Sequence, residues 1–339
     1  MITRRQLLEL AGLSALPVVS GCGKRDQASV LGGLVTEVVL GMARDMRAES
    51  SALHTTTRAL STEPGAERQR AAQAAFKRAT LSWKRASAFR SGPFIDSEGF
   101  QRAAFWPARA TSIDAVLNEP APLDAGRVQQ LGVDARGLYA LEYLLFDEAN
   151  VRASLLQSDA QSVRLRAYAL ELSVNVLGYA ERIERLLGDA HAYAASFSKA
   201  GKLSVDTLVA QMLDTLSVVS GKFARVERAR GENRPLPFAV EGYYSGTSLE
   251  IVLAIIAGSK RLYVGGGSGG LSALVAAASK PIDDHVRVMF DRTEQRLRAV
   301  GMPIEVALDA YPDRFTSAAA AIAELRHVIE VELVSALAS

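Results

Sequence analysis

The 339-residue chain is longer than the roughly 250–300 residues at which a single core tends to divide, so two domains are expected. Its 39 basic and 37 acidic residues nearly cancel, leaving no concentrated basic face of the kind nucleic-acid binding requires. With 49% hydrophobic and 22% charged residues, the composition is that of a folded globular protein and not of a disordered chain.

Residues 1–21 read as an export signal. Arg4 and Arg5 precede an apolar stretch, 7–19, that is shorter than the roughly 20 residues needed to span a bilayer. Val19-Ser20-Gly21-Cys22 resembles a bacterial lipobox, whose cysteine becomes the lipidated first residue of the mature chain. The run from Thr3 to Leu8 also resembles a twin-arginine signal, which is an address and not an anchor. Cys22 is the only cysteine, so structural disulfides and thiolate zinc sites are excluded and stability must come from the core. Gly23 lacks the acidic character associated with inner-membrane retention, so the expected location is periplasm-facing at the outer membrane.

After a lipidated polar tether, 22–29, the pattern is helical almost throughout. Leu31, Leu34, Val35, Val38, Met42 and Met46 recur at spacings of three and four, as the apolar face of a helix does. Val163, Ala167, Leu170, Val174, Leu177 and Leu187 form a second such stripe. Val205, Leu208, Met212, Leu216, Val219, Phe223 and Val226 form a third, and Phe315, Ala318, Ile322, Leu325, Ile329 and Leu333 a fourth. No stretch alternates long enough for a strand. One-faced helices bury their stripes on each other, which predicts an all-α protein of helix bundles. A boundary is expected near 191–204, giving an N-terminal bundle over 30–195 and a C-terminal bundle over 196–339.

Two segments break the pattern. Residues 91–122 and 231–246 are rich in Gly, Pro and aromatics and are too long for plain bundle connections, a feature of functional loops. The glycine run 265–270 formally fits a dinucleotide-binding fingerprint, but no strand precedes it, and it reads as a flexible turn. Asp283-Asp284-His285 follows Pro281 and reads as a solvated helix start, because consecutive helical residues diverge too far to share one ion.

The segment with most chemical content is 136–146. Read as a helix, it puts Leu138, Leu141, Glu142 and Leu145 on one face, so Glu142 lies within the apolar stripe. A carboxylate there must be protonated, paired or bound to a cation. A structural ion pair or hydrogen bond that locks the bundle satisfies that condition as well as a binding site does.

The stretch Gly137-Leu138-Tyr139-Ala140-Leu141-Glu142-Tyr143-Leu144-Leu145 resembles the imelysin signature of Gly, any residue, His, two residues and Glu, followed by an aromatic and apolar residues. Phe89-Arg90, Gly92-Pro93, the run Arg102 to Pro107 and Ile113-Asp114 resemble that family's arginine, Trp-Pro and Ile-Asp spacing. Glu241, Ser245 to Leu249, Gly258 through Tyr263, and Gly270-Leu271-Ser272 resemble its second half, so the likeness spans about residues 30–335.

The resemblance implies two four-helix-bundle-like domains related by an internal duplication, on an exported protein linked to iron uptake and periplasmic metal binding. The family's founding member is described as a metallopeptidase, with the His–Glu signature as its proposed metal site. Here the histidine position is Tyr139. His54, His191, His285 and His327 form no chelating motif, so the three-ligand site of a zinc hydrolase is not visible. Tyr139 and Glu142 are hard oxygen donors suited to iron or another divalent or trivalent metal, and a retired, metal-free site fits them equally.

A cleft is expected to gather Tyr139, Glu142, Glu241, Tyr244, Ser245, Arg102 and Trp106, with Glu142 and Glu241 facing each other across it. The leading expectation is therefore a non-catalytic lipoprotein. Its expected partners are the membrane through its lipid, a metal ion or small ligand, and envelope iron-uptake proteins. The alternatives are a metallopeptidase-like hydrolase, or a partner-binding lipoprotein whose metal site is degenerate.

Overall fold

The computed structural model describes residues 26–147, 151–188 and 190–338. The expected export signal and Cys22 lie outside the described residues. Those described form helices and connecting turns without a strand, as the periodicity predicts. The core helices are α1 (Leu40–Thr62), α2 (Ala66–Ala86), α3 (Gly137–Phe146), α4 (Ala160–Leu186), α5 (Lys202–Gly231), α6 (Ser248–Val264), α7 (Lys280–Val300) and α8 (Pro312–Val328).

The helix Gln27–Gly33 and a π-helical turn, Leu34–Val39, run directly into α1. Asp26 caps this first helix, its carboxylate accepting from the Ser29 amide at 3.0 Å. The tether expected through Ser29 is therefore helical from Gln27. The apolar stripe begins only at Val30, so the polar first turn was invisible to periodicity.

Helix α1 packs on α2 and α4, and α3 packs on α4; in the C-terminal half α7 lies on α8 and α6, and α5 on α8. Helix α2 crosses α6 and joins the two groups, and the buried apolar side chains form one contiguous cluster through both. Gly258 makes that crossing close, because a Cβ there would stand 2.1 Å from the Arg85 carbonyl oxygen. The stretch 191–204, where a domain boundary is expected, is mostly the helix Ala190–Lys199, which buries Ala194 and Phe197 and packs on the first helix.

Segment 91–122 carries the short helices Pro93–Asp96, Gly99–Arg102 and Ala110–Asn118, pinned by Phe94, which meets Phe89 edge-on and stacks on Phe100. The glycine run is a turn, but it is tied down: the Ser268 amide donates to Glu37 Oε2 at 3.0 Å. Helix α7 begins at Lys280 with Pro281 in its first turn, yet Asp283 is buried, not solvated. It accepts from the Tyr263 hydroxyl at 2.8 Å and from Arg287 Nε at 3.0 Å, because α6 packs against this end of α7.

Candidate functional site

Helix α3 is not amphipathic in place: every residue from Gly137 to Leu145 is buried. Its entry is fixed by Gly137, at φ +76°, where a Cβ would come within 2.3 Å of the Ala103 carbonyl oxygen. That same oxygen accepts from the Leu138 amide at 2.7 Å, so the loop carrying Arg102 and Trp106 is clamped to the start of α3. With no solvent face available, the polar groups of Tyr139 and Glu142 must find partners inside the protein.

Glu142 finds Ser245. Its Oε1 accepts from the Ser245 amide at 3.0 Å and from the Ser245 hydroxyl at 2.6 Å. The hydroxyl also lies 2.7 Å from Thr247 Oγ1. Burial raises the Glu142 carboxyl, the two bonds from Ser245 oppose it, and the nearby charges of Glu241 and Glu305 add to the rise; the balance stands at about 7. Among the described residues no arginine pairs with it, and the serine hydrogen bonds take the place of an ion pair.

Glu241 enters from the turn before α6 and is only 4% exposed at its side chain. Tyr139 donates to its Oε1 at 2.5 Å, Lys84 from α2 lies 2.5 Å from the same oxygen, and Lys222 from α5 bonds its Oε2. Burial would raise this carboxyl, but the Lys222 and Lys84 ammoniums outweigh it and hold it far below the ordinary carboxylate range. Lys222 is drawn below its ordinary value by burial, with Glu241 pulling the other way. Burial and the Glu241 charge push the Tyr139 phenol well above its usual value, so it is a neutral donor. Its one proton goes to Glu241 and not to Glu142.

The cluster has two sides. Toward Glu142 a space of only about 10 Å³ is bounded by Trp106, Tyr139, Tyr243 and Tyr244. Tyr244 meets Tyr143 edge-on at 5.5 Å, and Tyr143 donates to Asp114 at 3.3 Å. Toward Lys84 and Lys222 a cavity of about 510 Å³ opens, walled by Glu241, Trp106, Phe94, Phe100 and Phe105. The Lys222 ammonium lies 5.9 Å and the Arg225 guanidinium 5.2 Å from the centre of the Trp106 ring, so both cations rest against its π face.

Of the expected cleft residues, Tyr139, Glu142, Glu241, Ser245, Tyr244 and Trp106 come together, and the two carboxylates belong to one buried site. Arg102 does not join them; it turns outward and pairs with Glu98 one helical turn earlier. Lys84 and Lys222 were missed. Lys222 stands three residues after Val219 and four before Val226, on the buried stripe of α5 where an apolar residue is expected. A lysine at such a position is the signal that a buried counter-charge exists elsewhere in the chain.

The donor set does not fit a resident metal ion. Among the described residues no three His, Cys, Asp or Glu side chains are placed to hold one. The positive charge that a carboxylate and a phenol would take from a cation is already supplied to Glu241 by two ammoniums, and a phenolate at Tyr139 would sit against that carboxylate. Glu142 Oε1 is already taken up by the amide and hydroxyl of Ser245.

The sequence matches the imelysin family over residues 39–331. Among solved structures, a Parabacteroides distasonis protein named by inference as an iron-regulated protein A precursor is 20% identical with a TM-score of 0.71, the match covering 90% of this chain and 93% of that one. An imelysin-like protein from Psychrobacter arcticum is 14% identical with a TM-score of 0.74, covering 92% and 95%. At these identities the likeness speaks for a shared fold. No match was found among curated proteins. With its helical core, its Gly-x-Tyr-x-x-Glu helix and a family match running through both halves, this chain belongs to the imelysin family.

Proposed function

We propose that this chain is a non-catalytic binding protein of the bacterial envelope, lipid-anchored through Cys22 at the outer membrane and serving iron uptake. It holds a small ligand between its N-terminal (30–195) and C-terminal (196–339) bundles. The observation that carries the binding role is the cavity of about 510 Å³ walled by the Lys84–Glu241–Lys222 cluster. Its volume lies within the roughly 300–1,000 Å³ of small-molecule sites, and it combines aromatic walls with a few convergent polar groups.

The same geometry argues against hydrolysis. Glu142 has the affinity for a proton that a general acid or base needs, but the space beside it, about 10 Å³, has room for about one water. Glu241, on the roomy side, is held ionised by ammoniums and is a poor proton acceptor. The role in iron uptake draws support from the family and from the designation of the Parabacteroides relative as iron-regulated.

The test is calorimetry of ferric, ferrous and zinc ions on the soluble chain beginning at Gly23, with elemental analysis, a peptide-hydrolysis assay and Glu142→Ala in parallel. No stoichiometric metal and no zinc-dependent hydrolysis are expected. One-to-one iron binding that disappears in Glu142→Ala would replace this reading with a metal site. The anchor is checked by labelled palmitate, whose incorporation must vanish in Cys22→Ser.

A further inference from the structure

The cavity beside the cluster carries more positive charge than its own walls neutralise. Four cations line it: Lys84, Lys222, Arg90 and Arg225. Arg90 is engaged by Asp214 at 2.5 Å, and the wall carboxylate of Glu98 is engaged by Arg102. That leaves Lys84, Lys222 and Arg225 facing the single carboxylate of Glu241, three positive charges against one negative. Tyr139 adds no charge, since its phenol stays protonated.

Both ammoniums are largely withdrawn from water, their side chains 13% and 8% exposed, and one carboxylate is shared between them. Charge held out of water calls for a counter-charge, and the open volume beside these ammoniums is where one can enter. Arg225 makes no ion pair among the described residues and lies over the Trp106 ring at the solvent end of the cavity, with its fork of donors available.

The rest of the wall is apolar. Phe94, Phe100 and Trp106 give it flat faces, while Phe105 and Ile95, 37% and 53% exposed, leave an apolar rim at its mouth. A bare inorganic anion would leave these surfaces wet, whereas a ligand with a flat body covers them.

We infer that this cavity binds a small amphipathic anion: a flat aromatic or apolar body carrying a carboxylate or comparable acid group. The body lies against Phe94, Phe100 and Trp106, and the acid group is drawn to Arg225 and the paired lysines. The inference rests on the reading of this chain as a small-ligand-binding protein and adds the class of the ligand.

Calorimetry on the soluble chain with three probes of one shape tests it: 2-naphthoate, 2-naphthalenemethanol and 2-naphthylmethylammonium. Naphthoate is expected to bind at least about tenfold more tightly than the alcohol, and the ammonium not to bind, because a charge-assisted contact is worth about that factor. Arg225→Gln, an exposed position whose loss spares the fold, is expected to weaken naphthoate about tenfold and leave the alcohol unchanged. Equal affinities for all three probes, or preference for the ammonium, would overturn the ligand class and leave the small-ligand reading standing. Naphthoate binding indifferent to Arg225→Gln would place the anion elsewhere and overturn the assignment to this cavity. Failure of every probe to bind would overturn both readings.

Discussion

Two carboxylates enter the centre of the protein from opposite halves of the chain, Glu142 from α3 and Glu241 from the turn before α6. Both are almost wholly buried, and burial pushes both toward the neutral acid. Glu241 touches two ammoniums and a phenol and stays ionised; Glu142 touches a serine hydroxyl and a backbone amide and rises to about 7. Equal burial thus gives opposite ionisation, because a full charge at contact distance outweighs desolvation where dipolar donors do not. The spatial consequence follows the same division. The charged side faces a cavity of about 510 Å³, and the neutral-leaning side faces a space of about 10 Å³.

The largest effect is expected from breaking the charged side. Glu241→Gln would leave Lys84 and Lys222 buried without a counter-charge, at a cost of about 3–5 kcal/mol in urea unfolding. A loss below about 1 kcal/mol would mean the ammoniums find other partners or water.

A smaller effect distinguishes the two acids by pH. Glu142 is raised in the folded state, so its stabilising proton is fully present below the unfolded value near 4.5 and is lost as pH rises through about 7. Across that window this group alone withdraws on the order of 3 kcal/mol. Glu241 has the opposite sign: its contribution is present above about 4.5 and disappears only in strong acid, so it is flat over the same window. Unfolding free energies at pH 5 and pH 7 should therefore differ less in Glu142→Gln than in the parent chain. An unchanged pH slope in that variant would remove Glu142 as the titrating group.

The smallest effect sharpens the neutral side. Ser245→Ala deletes the hydroxyl bond while leaving the amide in place, and should cost about 1–2 kcal/mol. Because Ser245 lowers the Glu142 carboxyl, its removal should move the titration above 7, read by carboxyl-carbon NMR. A downward movement would contradict the capping role.

Much of this comparison could be anticipated from particular residues. Glu142 within an apolar helical stripe announced a buried carboxyl in need of a partner, and the Glu241–Ser245 segment was visible as an irregular, aromatic-rich turn. What remained hidden was which partner each acid takes. Tyr139 is three residues before Glu142, yet its hydroxyl donates to a residue 102 positions away. Arg102 shares the loop of Trp106 but turns to Glu98, since its short helix offers a carboxylate one turn back at no cost in chain entropy. Lys222 sat in plain view on the α5 stripe, and a charge at an apolar position foretold a buried pair without naming its other member.

The sequence by itself determined the all-helical class, because spacings of three and four are a property of each helix alone, and it determined the family through residues 39–331. Why glycine stands at the entry of α3, with the Ala103 carbonyl 2.3 Å from where a Cβ would be, is visible only in the folded chain. Only the tertiary structure decided the ionisation of the site. That depends on α2, α3, α5 and the turn before α6 converging, with Gly258 letting α2 and α6 approach closely enough to place Lys84 on Glu241. Periodicity records how a segment meets water, whereas a pKa records what stands a few ångströms away in space, and in this protein those neighbours come from opposite halves of the chain.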